Sequence, residues 1–117
     1  MDLSKKLQVP TGTPVFLVDP PEDFRIRLRV STKQEGAAVL AFAANSKKLK
    51  ENAGAAIEAA KADRLSWIAY PKAGRLGTDL NRDRLQKQMK EFGIEGVRLV
   101  SVDDVWSAMR FRPKKES

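Results

Sequence analysis

The residues best suited to bind a charged ligand lie in a glycine-containing stretch between positions 72 and 82. Lys72 and Arg75 would stand close to the N-terminus of a helix that begins near Asp79. Unpaired amides at a helix N-terminus and the positive end of its dipole attract anions, and neighbouring cations strengthen that field. We therefore predict a pocket for a phosphate or carboxylate group; a solvated loop with an ordinary helix cap is the alternative. The candidate ligand-binding residues are Lys72, Arg75, Thr78, Asp79, Arg82 and Trp106.

Acid–base chemistry in this chain would have to rely on carboxylates, lysine or tyrosine. The sequence contains neither cysteine nor histidine, which excludes thiolate or imidazole zinc sites and Ser-His-Asp or Cys-His catalysis. Tyr70 and Lys72 would point the same way on a strand and could form a proton-transfer pair. Asp79, Asp103 and Asp104 could bind Mg²⁺, but helix capping and turn formation also explain them. An enzyme built on these residues is our third hypothesis, and we expect no catalytic residue, metal ion or cofactor.

The chain is basic, with a net charge of +7. The excess of basic side chains is spread evenly along the chain. Residues 1–71 carry 11 basic and 8 acidic side chains, and residues 72–117 carry 11 basic and 7 acidic side chains. An even excess favours solubility more than it defines a nucleic-acid-binding face. Weak nucleic-acid binding through two basic rows is our second hypothesis, although aromatic side chains are scarce in them. The rows are Arg25, Arg27 and Arg29, and Arg110, Arg112, Lys114 and Lys115.

The length of 117 residues fits one domain that spans the whole chain. Residues 1–9 are expected to form a lead-in segment, and residues 112–117 a frayed basic tail. The N-terminus is polar, and the longest apolar run, 37–44, is far shorter than the ~20 residues of a membrane span. We therefore expect a cytoplasmic protein without membrane contact.

Two continuous apolar runs and a third, largely apolar stretch predict buried parallel strands that lie side by side. They are residues 15–18, 37–44 and 65–70. The alternating run Arg25–Val30 predicts a strand with one solvated face, near a sheet edge that its arginines would protect from unwanted pairing. Two further strands are expected at 97–102 and 105–111, and their short link makes the last strand most simply antiparallel.

Two helices are expected between these strands. The first begins at Ser46 and ends near Asp63, and Gly54 within it suggests close packing against the sheet. Its inner face would consist of Leu49, Ala53, Ala56, Ile57 and Ala60. The second would be capped by Thr78 or Asp79 and would end near Phe92, before Gly93. Its inner face would consist of Leu85, Met89 and Phe92.

Strands that alternate with helices predict an α/β fold with a mostly parallel sheet, an antiparallel C-terminal strand and helices on its faces. The first strand is followed by Asp19-Pro20-Pro21, not by the glycine loop that lets a backbone approach a pyrophosphate. Val30-Ser31-Thr32 stands where an acidic residue would bind a ribose. The fold class is therefore a single truncated, Rossmann-like, three-layer domain that is not a methyltransferase.

Both tryptophans belong to apolar runs. We expect Trp67 to lie in the core. Trp106 begins the last strand close to the carboxyl edge of the sheet, where it would either pack in the core or stack on a ligand.

Several motifs resemble a bacterial family of small domains, domain of unknown function 3052. The specific parts are W-x-x-x-P-K from Trp67 to Lys72, then Ala73-Gly74-Arg75, and D-x-V-W-S at 103–107. The resemblance covers nearly the whole chain. It implies a methyltransferase-like sheet without its cofactor half, and it supplies neither an activity nor catalytic residues. We thus expect a non-catalytic domain that binds an anionic ligand or a protein partner through loop 72–82.

Overall fold

The computed structural model describes residues 3–10, 12–22, 24 and 30–115. Its strands are β1 (Val15–Val18), β2 (Val30–Ser31), β3 (Ala38–Phe42), β4 (Ser66–Pro71), β5 (Ile94–Ser101) and β6 (Trp106–Pro113). Within these ranges they form a six-stranded sheet in the order β2-β1-β3-β4-β6-β5. The first four strands are mutually parallel, and β6 is antiparallel to both β4 and β5. The fold is therefore α/β with a mixed sheet.

The helices of the described chain are α1 (Leu3–Lys6), α2 (Ser46–Asn52), α3 (Gly54–Lys61) and α4 (Arg82–Lys90). A short 3₁₀ turn, Arg75–Gly77, lies between β4 and α4. Side chains from α2, α3 and α4 pack together on one face of the sheet, which we call the helical face. Leu7, which follows α1, packs on the opposite face with Phe24 and Trp67, and we call this the N-terminal face.

The central strands are apolar because both of their faces are covered. All five residues of β3 are buried, and alternate residues enter the two cores. Val39 and Ala41 contact the helical side, whereas Leu40 and Phe42 contact the N-terminal side. The alanine-rich run was thus correctly predicted to be a strand. β1, β3 and β4 are adjacent and parallel, as expected.

The strand bounds differ from the sequence-based prediction mainly at the C-terminal hairpin. β5 begins at Ile94, three residues before Val97, because the chain pairs with β6 directly after the turn at Gly93. A β-bulge between Gly96 and Arg98 interrupts the pairing of β5 with β6. The closely linked final strand is antiparallel, as predicted. Of the run Arg25–Val30, only Val30 lies within the described residues, where it begins β2.

The predicted helix from Ser46 to Asp63 is split between Asn52 and Gly54. The close packing predicted for Gly54 is wrong, because Gly54 is exposed and nothing lies near the position of a Cβ there. The second helix ends at Lys90, and Phe92 is 49% exposed, so its predicted inward position is also wrong. Leu85 and Met89 are buried as expected, and Gly93 has the positive φ of 84° expected just after a helix.

Both ends of the described chain are attached more firmly than expected. Leu7 is buried, and its carbonyl accepts a 2.9 Å hydrogen bond from Trp67 Nε1. The tail expected to fray from residue 112 is instead part of β6 up to Pro113, and the amide of Lys114 donates to the carbonyl of Gly93 at 2.9 Å. Residues 116–117 lie outside the described part. No helix in the described ranges is long and apolar enough to cross a membrane.

Candidate functional site

The candidate site lies at the carboxyl edge of the parallel strands, in the segment 72–81 that joins β4 to α4. We call this segment the β4 loop. The turn between β5 and β6 lies at the same edge, because β6 runs back from there beside β4. In open α/β sheets this edge is the usual place for ligands.

Two consecutive tight turns form the first half of the β4 loop. The amide of Arg75 donates to the carbonyl of Lys72 at 2.8 Å, and Gly74 between them has a φ of 75°. The amide of Thr78 then donates to the carbonyl of Arg75 at 3.1 Å. Leu76 (φ 55°) and Gly77 (φ 64°) occupy the central positions of this second turn. Positive φ at both positions defines a type I′ turn, where Gly, Asn and Asp are the usual residues.

Leu76 is therefore an unusual residue at the tip of the loop. Its side chain is 64% exposed. A left-handed conformation costs an L-residue other than glycine, asparagine or aspartate about 1–2 kcal/mol. At this exposure the leucine buries little apolar surface that would offset the cost.

The β4 loop is fixed to the β5–β6 turn. Lys72 donates through its amide to the carbonyl of Val105 at 2.7 Å and through Nζ to Ser101 Oγ at 2.8 Å. Asp103 Oδ1 in turn accepts from the amides of Val105 and Trp106, both at 2.8 Å. Asp103 thus serves turn formation, one of the two roles considered for it, and the ammonium group of Lys72 is already bound.

The C-terminal half of the β4 loop is fixed to the neighbouring helices. Asp79 Oδ1 accepts from the amide of Ser46, the first residue of α2, at 2.8 Å. Hydrogen bonds from the Ser46 amide and hydroxyl, with the more distant charge of Arg84, hold the pKa of Asp79 below its ordinary value. Thr78 Oγ1 accepts from the amide of Leu80 at 3.0 Å.

Neither Thr78 nor Asp79 caps α4, so that prediction is wrong. Asn81 is the cap, and its Oδ1 accepts from the amide of Arg84 at 2.9 Å. Asn, Asp and Thr all favour this position, and three such residues stand within four places here. The Asn81 side chain already occupies one of the free amides that the predicted anion pocket would use.

The arginines of the site differ in their contacts. Arg84 Nη1 donates to the Asp79 carbonyl at 3.2 Å, and Arg82 pairs with Asp83 at 3.5 Å on the surface. The exposed side chain of Arg75 has no hydrogen bond or ion pair within the described residues. Arg75 is thus available to a ligand next to Leu76.

Tyr70 belongs to the core of the helical face. Burial raises the pKa of its hydroxyl; the charge of Arg82 opposes this shift and that of Asp83 adds to it. Lys72 lies beyond the end of β4 and bonds to Ser101, so the strand geometry predicted for a Tyr70–Lys72 pair is not present. Within the described ranges, no group of three acidic side chains is arranged to hold a metal ion.

Trp106 is 9% exposed and packs edge-to-face against Phe42, with ring centroids 5.2 Å apart. It belongs to the core of the N-terminal face, as does Trp67. Of the two positions considered for Trp106, the structure therefore gives the core position, beside the loop but on the opposite face of the sheet from α2, α3 and α4.

The two basic rows are not equally described. Arg25, Arg27 and Arg29 lie outside the described residues. Arg110 and Arg112 belong to β6, at the amino edge of the parallel strands and thus at the opposite end of the sheet from the β4 loop.

Sequence reasoning did not identify Leu76, Ser46 or Asn81 as parts of this site. Two glycines three positions apart, Gly74 and Gly77, were the available signal for successive turns with positive φ. The contact between Asp79 and Ser46 spans 33 positions and leaves no local sequence pattern.

No family model, curated protein or solved structure matches this chain. The resemblance to domain of unknown function 3052 therefore stays a prediction.

Proposed function

We propose that this chain is a non-catalytic binding domain that attaches to a protein partner through the tip of the β4 loop. The observation that carries the proposal is the exposed, left-handed Leu76 at the end of a loop that is fixed on both sides. Residues in sparsely populated conformations persist where the surrounding structure enforces them, and they concentrate at functional sites. A polar residue would suit this turn better, so its leucine favours a role in recognition.

A protein partner fits the tip better than a small anion does. Lys72 and Arg84 are already hydrogen-bonded, and Asn81 caps the helix that would have bound the anion. At the tip, the apolar side chain of Leu76 is exposed beside the exposed cation of Arg75. The matching surface on the partner is an apolar pocket with acidic side chains at its rim.

The same proposal includes a methyltransferase-like sheet that serves as a scaffold. The position of β6 supports this part of the proposal. β6 lies between β4 and β5 and is antiparallel to both, whereas the other strands of the sheet are parallel to one another. Asp19-Pro20-Pro21 after β1 leaves no glycine loop there for a cofactor.

The test is photo-crosslinking in the cells that produce the chain. A photoreactive amino acid replaces Ala73, an exposed residue of the β4 loop, and a second chain carries it at Val30, which is exposed on β2. We expect one discrete protein adduct from position 73 and none of the same mass from position 30. Arg75→Glu or Leu76→Asn should abolish the adduct. Leu99→Asn, which also removes an exposed apolar side chain, should not.

Any of three results would contradict the proposal: identical adducts from both positions, no adduct from position 73, or an adduct that survives either loop variant. An amide chemical-shift titration with inorganic phosphate covers the small-anion alternative. Shifts confined to residues 72–82 and saturating at low concentration would overturn the protein partner in favour of an anion.

A further inference from the structure

Two arginines face each other across the C-terminal hairpin. Arg98 on β5 and Arg110 on β6 are direct partners in the antiparallel register. Directly opposite residues project on the same side of a sheet, and like charges in that arrangement repel each other. The repulsion between Arg98 and Arg110 therefore destabilises the hairpin, and an anion bound between the two guanidinium groups would relieve it.

Arg98 and Arg110 line a surface groove of about 550 Å³ at the amino edge of the parallel strands. Arg112 and Lys115 also line it, together with two acidic residues, Asp63 and Glu95. Four cations and two carboxylates leave the groove with two net positive charges. This charge matches that of a phosphate monoester, which is about −1.5 to −2 at neutral pH.

The hydrogen bonds of Arg110 are incomplete. Its Nη1 donates to Gln8 Oε1 at 2.9 Å, whereas its Nε is buried and has no partner among the described residues. A buried donor without an acceptor costs free energy, and more so on a charged group. Guanidinium groups bind phosphate oxygens with two parallel hydrogen bonds, for which Nε is one of the suitable donors.

Two residues hold the groove's arginines from outside the hairpin. Gln8 accepts from Arg110, and Asp63 accepts from Arg112 Nη2 at 3.3 Å. Gln8 and Asp63 both have left-handed backbones, with φ of 57° and 58°. Arg110 and Arg112 are thus held in position by two separate segments of the chain. The third arginine of the groove, Arg98, has no hydrogen-bond acceptor among the described residues.

We infer that this groove binds the phosphoryl group of a small molecule between Arg98 and Arg110. The inference goes beyond the proposed protein partner, because the β4 loop lies at the opposite edge of the sheet. Asp63 and Glu95 favour a single phosphoryl group over a continuous nucleic-acid backbone, because their carboxylates would repel the neighbouring phosphates of a polyanion.

The test is an amide chemical-shift titration of the whole chain with inorganic phosphate at constant ionic strength, with chloride as the reference anion. We expect saturable shifts at Gln8, Arg98 and Arg110. Arg98→Gln should weaken phosphate binding about tenfold, since a hydrogen bond to a charged group is lost. Lys87→Gln removes one positive charge from the outer side of α4 and should leave the affinity unchanged.

Thermal unfolding keeps the test independent of a folding defect. Without phosphate, Arg98→Gln should be at least as stable as the original chain, because it relieves the repulsion with Arg110. Phosphate should raise the Tm of the original chain and of Lys87→Gln by mass action, and that of Arg98→Gln much less.

Three results would overturn the inference. One is a set of shifts spread over surface lysines and unchanged in Arg98→Gln. Another is equal affinity for acetate, which would indicate a carboxylate in place of a phosphoryl ligand. The third is a single-stranded oligonucleotide that binds far more tightly than phosphate, with a steep loss of affinity on adding salt.

Discussion

Asp79 Oδ1 accepts a 2.8 Å hydrogen bond from the backbone amide of Ser46, the first residue of α2. The β4 loop is thereby attached to the helix that follows β3, while Lys72 attaches it to the β5–β6 turn. The tip of the loop, Arg75–Gly77, is therefore supported from both sides and lies between two anchored ends. Such a scaffold limits the conformational entropy that the tip would lose when it binds.

Removal of the Asp79 carboxylate should therefore loosen the loop and lower the free energy of unfolding. Because the pKa of Asp79 is lowered in the folded state, its contribution is complete above the ordinary value of 3.8 and is lost as the pH falls below that value. We expect Asp79→Asn to be less stable than the original chain at neutral pH, with the difference shrinking in acid. Urea unfolding at a series of pH values measures this.

The matched control is Asp104→Asn, which removes an exposed carboxylate from the β5–β6 turn. It should change the stability by no more than about 0.5 kcal/mol. Equal effects of the two substitutions would mean that the negative charge of Asp79 adds no stability through its hydrogen bonds with Ser46.

Tyr70 should ionise only at strongly alkaline pH. It is the single tyrosine of the chain, so the ultraviolet absorbance of tyrosinate reports it alone. Burial raises its pKa above 10.0, so the contribution of Tyr70 to stability is complete below that pH and is lost as the pH rises through the folded-state value. Arg82→Gln should raise the pKa of Tyr70 further, and Asp83→Asn should lower it. A transition at or below pH 10.0 in the folded chain would contradict the buried position.

Gly96 and Gly54 should respond in opposite ways to replacement by alanine. A methyl group on Gly96 would overlap the sulfur of buried Met109 and come within 2.9 Å of its Cγ, whereas Gly54 has open space around it. Gly96→Ala should cost about 1–3 kcal/mol through overpacking. Gly54→Ala should stabilise α3 by up to about 1 kcal/mol. Denaturant unfolding measures both, and a neutral Gly96→Ala would show that Met109 moves away freely.

The sequence was a good guide wherever a segment is buried on both faces. The run 15–18 and the alanine-rich run 37–44 are apolar because helices and the N-terminal segment cover the strands they form. The amphipathic helix with Leu85 and Met89 was predictable for a similar reason, since its period follows from one buried face.

The site was harder to predict, because its geometry depends on contacts between distant segments. Thr78, Asp79 and Asn81 are all good caps, and only the packing of the loop against α2 selects Asn81 and directs Asp79 to Ser46. The position of β6 between β4 and β5 likewise depends on tertiary pairing rather than on local pattern.

The central claim is tested most directly by two measurements on Leu76→Asn. One is the free energy of unfolding by denaturant, and the other is the crosslinking yield from position 73. Asparagine followed by Gly77 suits a type I′ turn. If leucine is present for recognition and not for folding, the substitution should stabilise the chain by about 1 kcal/mol, the cost of a left-handed leucine, and abolish the adduct. A destabilised chain, or a stabilised chain that still forms the adduct, would contradict the account.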